Sequence, residues 1–178
     1  MSLPKTPPPG ILFTSVLYRK GLVSAEEIKK IWSDKYGEYE YFEHPHFPMK
    51  RYYSKEMGPQ EDMARFFLVS HELRPRETLV EHKKWCLERE SSDHDARKIN
   101  WDAGFLTLEN LQLATCKNFS HRVFIKDNIY SDLTLIYHGT SFQTLPWSYP
   151  DYSHPEIIDF FNKCRDRLHR GLKAQNLL

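Results

Sequence analysis

At 178 residues the chain is close to one domain of ordinary size and long enough to bury a core. With 40% hydrophobic and 14% aromatic residues it is not a disordered chain, and a formal charge of +1 removes any global argument for nucleic acid. Cys86, Cys116 and Cys164 are odd in number, widely spaced and without a CxxC, which excludes a disulfide framework or zinc ribbon and suits a reducing compartment.

The opening MSLPKTPPPG reads as a proline-rich extended arm without the apolar run of a signal peptide. No stretch has the length to span a bilayer, so the expected location is cytoplasmic, with no membrane partner. Residues 11–18 (ILFTSVLY) are apolar throughout and read as a buried strand. Ser24-Ala25-Glu26-Glu27 is a capping box opening a helix that turns Ile28, Ile31 and Trp32 inward and ends at Gly37. Residues 39–47 alternate as a strand until Pro45. His44 and His46 form an H-x-H pair, but with no third ligand nearby in sequence they read as edge or loop.

Residues 47–62 (FPMKRYYSKEMGPQED) read as a solvated loop whose Lys50, Arg51, Tyr52, Tyr53 and Lys55 form a candidate patch for phosphate or stacked bases. A strand follows at 63–70. A second helix spans 75–90, with proline at its start and Glu77, Glu81, Lys84 and Glu88 on its outer face. Residues 91–97 (SSDHDAR) read as a polar loop.

The stretch 98–137 gathers the polar residues best suited to chemistry. A strand at 99–105 places Asn100 and Asp102 on one face, and an aspartate on an apolar strand requires partners. Thr107 reads as the N-cap of a short helix over 108–116, whose far end delivers Lys117. With Arg122 and backbone donors, Lys117 would frame an anion.

Residues 119–126 and 129–136 form a hairpin about Asp127-Asn128. Counting from a two-residue turn sets Ile125 opposite Tyr130, Val123 opposite Asp132 and His121 opposite Thr134. His121, Asp132 and Thr134 then share a face, with His121 and Asp132 on a diagonal of roughly 7 to 8 Å. Arg122 falls on the other face. Ser120 and His121 point to opposite faces, which removes them as a nucleophile and base pair. If the 99–105 strand lies beside this hairpin, Asn100, Asp102, His121, Asp132 and Thr134 converge on one wall.

Residues 142–147 add an edge strand stopped by Pro146, and 147–152 form an aromatic packing loop. Ser153 to Glu156 is a second capping box, with Pro155 inside the first turn. The last helix turns Ile157, Phe161, Cys164 and Leu168 inward. The element order matches an α+β protein with a ferredoxin-like βαββαβ core, a mainly antiparallel sheet, an added hairpin and a C-terminal helix.

Three functions fit these residues. The first is binding of a phosphate-bearing ligand, a nucleotide or RNA, by Lys117, Arg122 and Tyr53 with Asn100 and Thr134. The second is a hydrolytic enzyme with His121 as general base, oriented by Asp132, and Asp102 as acid or metal ligand. The third is an interaction module meeting a protein partner through Tyr52 or Trp147. The bland alternative for the polar cluster is a structural network of capping aspartates and a satisfied histidine. Phosphate binding ranks first, and no cofactor or metal is assigned.

The segments PPPGILFTSVLYR, YYSKEMGP, NWDAGFLTLENLQLATCKNFSHRVF, DNIYSDLTLIY and LPWSYPDY together resemble an uncharacterised prokaryotic family, domain of unknown function 4416, over nearly the whole chain. Asn100, Asp102, Lys117, Ser120, His121, Arg122 and Asp132 lie within the matching motifs. Asn128 stands where the family pattern has glycine, and His44 and His46 fall where the family is not expected to carry histidines. Some similar proteins carry a GTP-binding label, yet the chain has neither GxxxxGK[ST] nor GxGxxG after a strand.

Overall fold

The computed structural model describes residues 3–90, 92–93 and 96–178. In chain order the elements are β1 (Gly10–Arg19), α1 (Ala25–Tyr36), β2 (Tyr39–Glu43), α2 (Lys50–Met57), β3 (Met63–Arg74), α3 (Thr78–Leu87), β4 (Ser92–Asp93) and β5 (Ala96–Arg97). They continue with β6 (Ile99–Leu106), β7 (Asn110–Thr115), β8 (Arg122–Lys126), β9 (Ile129–His138), β10 (Ser141–Thr144) and α4 (Pro155–Ala174). Eight strands make one antiparallel sheet in the order β10-β9-β7-β6-β1-β3-β2, with β8 on the same edge of β9 as β10. The protein is therefore α+β, and among the described residues no helix is long and apolar enough to cross a membrane.

β1 is buried along nearly its whole length because it lies between β3 and β6 and is covered on both faces. Its Leu12, Val16 and Tyr18 meet Ile28, Trp32 and Tyr36 of α1 and Leu79, Val80 and Trp85 of α3. Ile11 and Phe13 turn the opposite way, toward Ile157, Phe160, Phe161, Cys164 and Leu168 of α4. Each fully buried Phe or Leu contributes roughly 1.5 to 3 kcal/mol, so the apolar stripe of α4 anchors it. Gly104 is required at its place on β6, since a Cβ there would lie 2.0 Å from the Phe13 ring.

α1 and its Ser24 cap form as the sequence indicates, with Ser24 Oγ accepting from the Glu27 amide at 3.1 Å. Four local expectations change. Residues 50–57 are helical, because Met57 packs beneath Leu17, Phe47 and Met63 with Tyr53 alongside. The 108–116 segment is a strand, because Leu111 and Leu113 bury on one face at period two and the segment pairs with β6 and β9. Thr107 still caps, but it caps a turn: its Oγ1 accepts from the amides of Glu109 and Asn110 at 3.2 and 3.1 Å. The N-cap of α4 is His154, whose Nδ1 accepts from the Glu156 amide at 3.3 Å, one residue beyond the expected Ser153.

The fourth change is in the hairpin. Asp127 and Asn128 both have positive φ, as a primed two-residue turn demands. A bulge between Phe124 and Lys126 then shifts the register by one, so that Phe124 faces Tyr130 and Arg122 faces Asp132. Arg122, expected on the far face, thus becomes the direct partner of Asp132. The polar loop expected at 91–97 contains the short β4–β5 pair, while Ser91, His94 and Asp95 lie outside the described residues.

Candidate functional site

The site begins where two strands part. β6 and β7 pair at only three positions, Gly104 to Leu106 with Leu111 to Leu113, whereas β1 stays paired with β6 down to Ile99. Below Gly104 the separation leaves a cavity of about 620 Å³ on the part of the sheet that α4 leaves uncovered. Lys83, Leu87 and Glu90 reach it from α3 and its C-terminal end, Tyr52, Tyr53 and Glu56 from α2, and Tyr149, Asp151 and Tyr152 from the turn before α4.

Of the residues singled out in the sequence, Tyr53, Asn100, Asp102, Lys117, Arg122 and Asp132 all line this cavity. Asn100 links Arg97 to Asp102, accepting from Arg97 Nη1 at 2.7 Å and donating to Asp102 Oδ2 at 2.8 Å. Asp132 Oδ2 takes Arg122 Nε at 2.9 Å and stands 3.3 Å from His121 Nε2. Arg122 is fully committed: Nη1 donates to the Lys117 carbonyl at 3.0 Å and Nη2 to the Tyr149 hydroxyl at 2.9 Å.

His121 and Thr134 are not on the cavity wall. The His121 ring stacks on Trp147, with centroids 5.1 Å apart, and the Thr134 hydroxyl donates to the Asp132 carbonyl at 3.1 Å. Both hold Asp132 from behind. A general base at His121 would have to act across the Arg122–Asp132 pair.

Among the wall residues not singled out in the sequence, two stand out. Arg65 of β3, almost wholly buried, donates to Ser15 Oγ at 2.7 Å, pairs with the buried Asp151 at 2.7 Å and lies over the Phe67 ring. It is a charge inside an apolar strand, the signal that pointed to Asp102. Lys83, only 6% exposed, lies on the inward stripe of α3 with Leu79, Val80 and Cys86. Helical spacing marks it as inward once the outer face is assigned.

Five cations (Arg65, Lys83, Arg97, Lys117, Arg122) meet five carboxylates (Glu56, Glu90, Asp102, Asp132, Asp151) on the wall. The arginines consume most of this charge: Arg65 pairs with Asp151, Arg122 with Asp132, and Arg97 with Glu56 and Glu90 at 3.8 and 3.5 Å. Among the described residues Lys83, Lys117 and Asp102 make no ion pair. The Asp102 charge, with burial second, lifts the Tyr53 hydroxyl well above the usual tyrosine range. Burial raises the Glu90 carboxyl against the opposing pull of Lys83 and Arg97, and raises Asp151 against that of Arg65.

Among the described residues no group of three or more His, Cys, Asp or Glu side chains is arranged to hold a metal ion. The fold does supply His44 and His46 with a third histidine, His154, at ring-centroid distances of 4.3 and 4.6 Å. These rings tilt over one another, and His44 is occupied by the His46 amide at 3.1 Å and by Glu156 at 3.0 Å.

The model of a domain of unknown function (DUF4416) matches residues 8–168, nine-tenths of the chain. The chain belongs to that family. The DUF4416 match spans every element from β1 into α4, and so includes every residue lining the cavity. Neither the curated proteins nor the solved structures contain a match to the chain.

Proposed function

We propose that the cavity binds a small phosphate-bearing ligand of about nucleotide size. The observation that carries this reading is the pair of lysines, Lys83 and Lys117, that line a 620 Å³ cavity while the surrounding arginines are bound to carboxylates. Lys83 is almost wholly buried and makes no ion pair among the described residues, which is costly for an ammonium, and an anion entering the cavity relieves that cost; Lys117 adds an exposed charge on the same wall. The volume suits a small ligand, typically held in roughly 300 to 1,000 Å³. Tyr52 and Tyr53 offer ring surface for a planar group. An RNA strand would need an open groove, so a small molecule is the better occupant.

Thermal unfolding with inorganic phosphate, pyrophosphate and nucleoside monophosphates tests this. A bound compound at about 100 times its dissociation constant adds about 2.7 kcal/mol of stability. Lys83→Met and Lys117→Ala should weaken the response, and added salt should weaken it further. No response to any phosphate compound, or an equal response in both variants, would sink the proposal.

A second reading attaches to another surface. Phe119, Val123 and Phe124 are 58 to 69% exposed on and beside β8, whose outer edge is free of any described strand. This favours a protein partner there, and Phe124→Ser should reduce such association without changing the thermal response to phosphate. We also read β1-α1-β2, β3-α3 and β6 as a ferredoxin-like core, with α2 inserted between its second and third strands. The neighbour order β6-β1-β3-β2 supports it.

A further inference from the structure

Four of the five carboxylates on the cavity have a guanidinium answering their charge: Arg97 for Glu56 and Glu90, Arg122 for Asp132, Arg65 for Asp151. Asp102 has none among the described residues. Its Oδ2 accepts from Asn100 at 2.8 Å, and Oδ1 accepts no hydrogen bond from them. The Asp102 charge nevertheless reaches across the cavity, where it is the main cause that raises the Tyr53 hydroxyl and adds to the effect of burial in raising Tyr149, Glu90 and Asp151. It is an acceptor held in place by Asn100 and left open to whatever enters.

Three kinds of donor would satisfy it. A metal ion finds no set of three ligand side chains among the described residues. A ligand ammonium would meet repulsion from Lys83 and from Arg97, whose partner Asn100 is itself bound to Asp102. Hydroxyl groups donate without adding charge, and an ionised carboxylate offers about four lone-pair sites to receive them. Asp102 on β6 and the Arg122–Asp132 pair at β9 face each other across β7 and the gap where β6 and β7 part, at least two strand spacings or roughly 10 Å between backbones. Side chains converging from both sides leave a gap of the order of a sugar carrying a phosphate.

We propose that Asp102 selects ligands bearing a vicinal pair of hydroxyls beside their phosphate, the chemistry of a sugar phosphate, and this rests on the phosphate reading above. Asp102 is a specificity determinant here, with Tyr53 as its neighbour and Asn100 as its positioning residue. Lys117 and Lys83 take the anionic end.

Isothermal titration of the full chain with ribose 5-phosphate, 2-deoxyribose 5-phosphate and inorganic phosphate separates the possibilities. The wild type should bind the ribose compound at least about tenfold more tightly than the deoxy compound, the usual consequence of losing a hydrogen bond to a charged acceptor. Asp102→Asn should bind both sugars alike, near the wild-type affinity for the deoxy compound. If circular dichroism shows that Asp102→Asn does not fold, Asp102→Ser is read in the same way. Equal wild-type binding of the two sugars overturns diol selection while leaving the phosphate reading intact. A gap that persists unchanged in the folded Asp102 variant removes Asp102 from that role. Absence of binding by all three compounds overturns both.

Discussion

His82 and Lys83 are consecutive residues of α3, both buried, and they face two regions that treat polar groups in opposite ways. His82 points into the core between α1 and the sheet. Its Nε2–H donates to the Phe13 carbonyl at 2.9 Å and its Nδ1 accepts from the Tyr36 hydroxyl at 2.8 Å. Every hydrogen-bonding atom of that ring is used, and Trp32 and Trp85 close around it. Lys83, one residue on, enters the cavity and makes no ion pair among the described residues. The difference separates a polar group that the fold consumes from one that it leaves without an ion pair, which on our proposal a ligand answers. Satisfied groups specify the structure, whereas open ones lose stability until something binds.

The largest effect should come from a consumed group on the cavity side. Arg65→Ala strands the buried Asp151 carboxylate and should cost about 3 to 5 kcal/mol in urea unfolding. Replacing both partners, Arg65→Met with Asp151→Leu, should recover most of that loss. A loss as large in the double variant would show that the pair does more than neutralise itself.

Next comes the acid behaviour of His82. Burial lowers its pKa from the ordinary 6.5 to about 4, so the folded ring resists protonation. Above pH 6.5 neither state binds the proton and His82 adds no pH dependence. Between pH 6.5 and 4 the unfolded chain takes up the proton first, so stability falls as pH falls, by roughly 3 kcal/mol across the window. Glu90 and Asp151, both raised by burial, work in the opposite direction at pH above their ordinary values of 4.5 and 3.8, because there the folded carboxyls take up protons before the unfolded ones. The comparison to make is therefore between wild type and His82→Gln, whose stability should be lower at pH 7 and flatter from 6.5 to 4. Parallel curves would show that His82 is not held neutral.

The smallest change in stability belongs to the open group. Lys83→Met should shift unfolding by less than about 1 kcal/mol, or stabilise slightly, because it replaces a buried charge that makes no ion pair among the described residues with an apolar chain of similar length. The same variant should lose response to phosphate compounds. If Lys83→Met is as damaging as Arg65→Ala, Lys83 is a structural residue and the contrast with His82 disappears.

The sequence was legible wherever local chemistry decides local structure. Ser24 and Gly37 bound α1, positive-φ residues Asp127 and Asn128 close the hairpin, and the apolar spacing of Ile157, Phe161, Cys164 and Leu168 sets the buried face of α4. The motif around Asn100 and Asp102 was readable because an aspartate on an apolar strand requires an explanation. Family membership was also readable, since its motifs run through nearly the whole chain.

Tertiary structure decided the rest. The 108–116 segment has spacing that suits either a short helix or a strand, and only its neighbours β6 and β9 make it a strand. A bulge at Ile125 cannot be counted from the turn, yet it exchanged Val123 for Arg122 opposite Asp132. The parting of β6 and β7 creates the cavity, and no single segment encodes a gap between two strands. Lys83 and Arg65 reach that gap from elements unrelated to the 98–137 stretch. Residue type and spacing carry propensity and facing, which are short-range. A binding site is a set of distances between segments far apart in sequence, and those distances exist only after the sheet has formed.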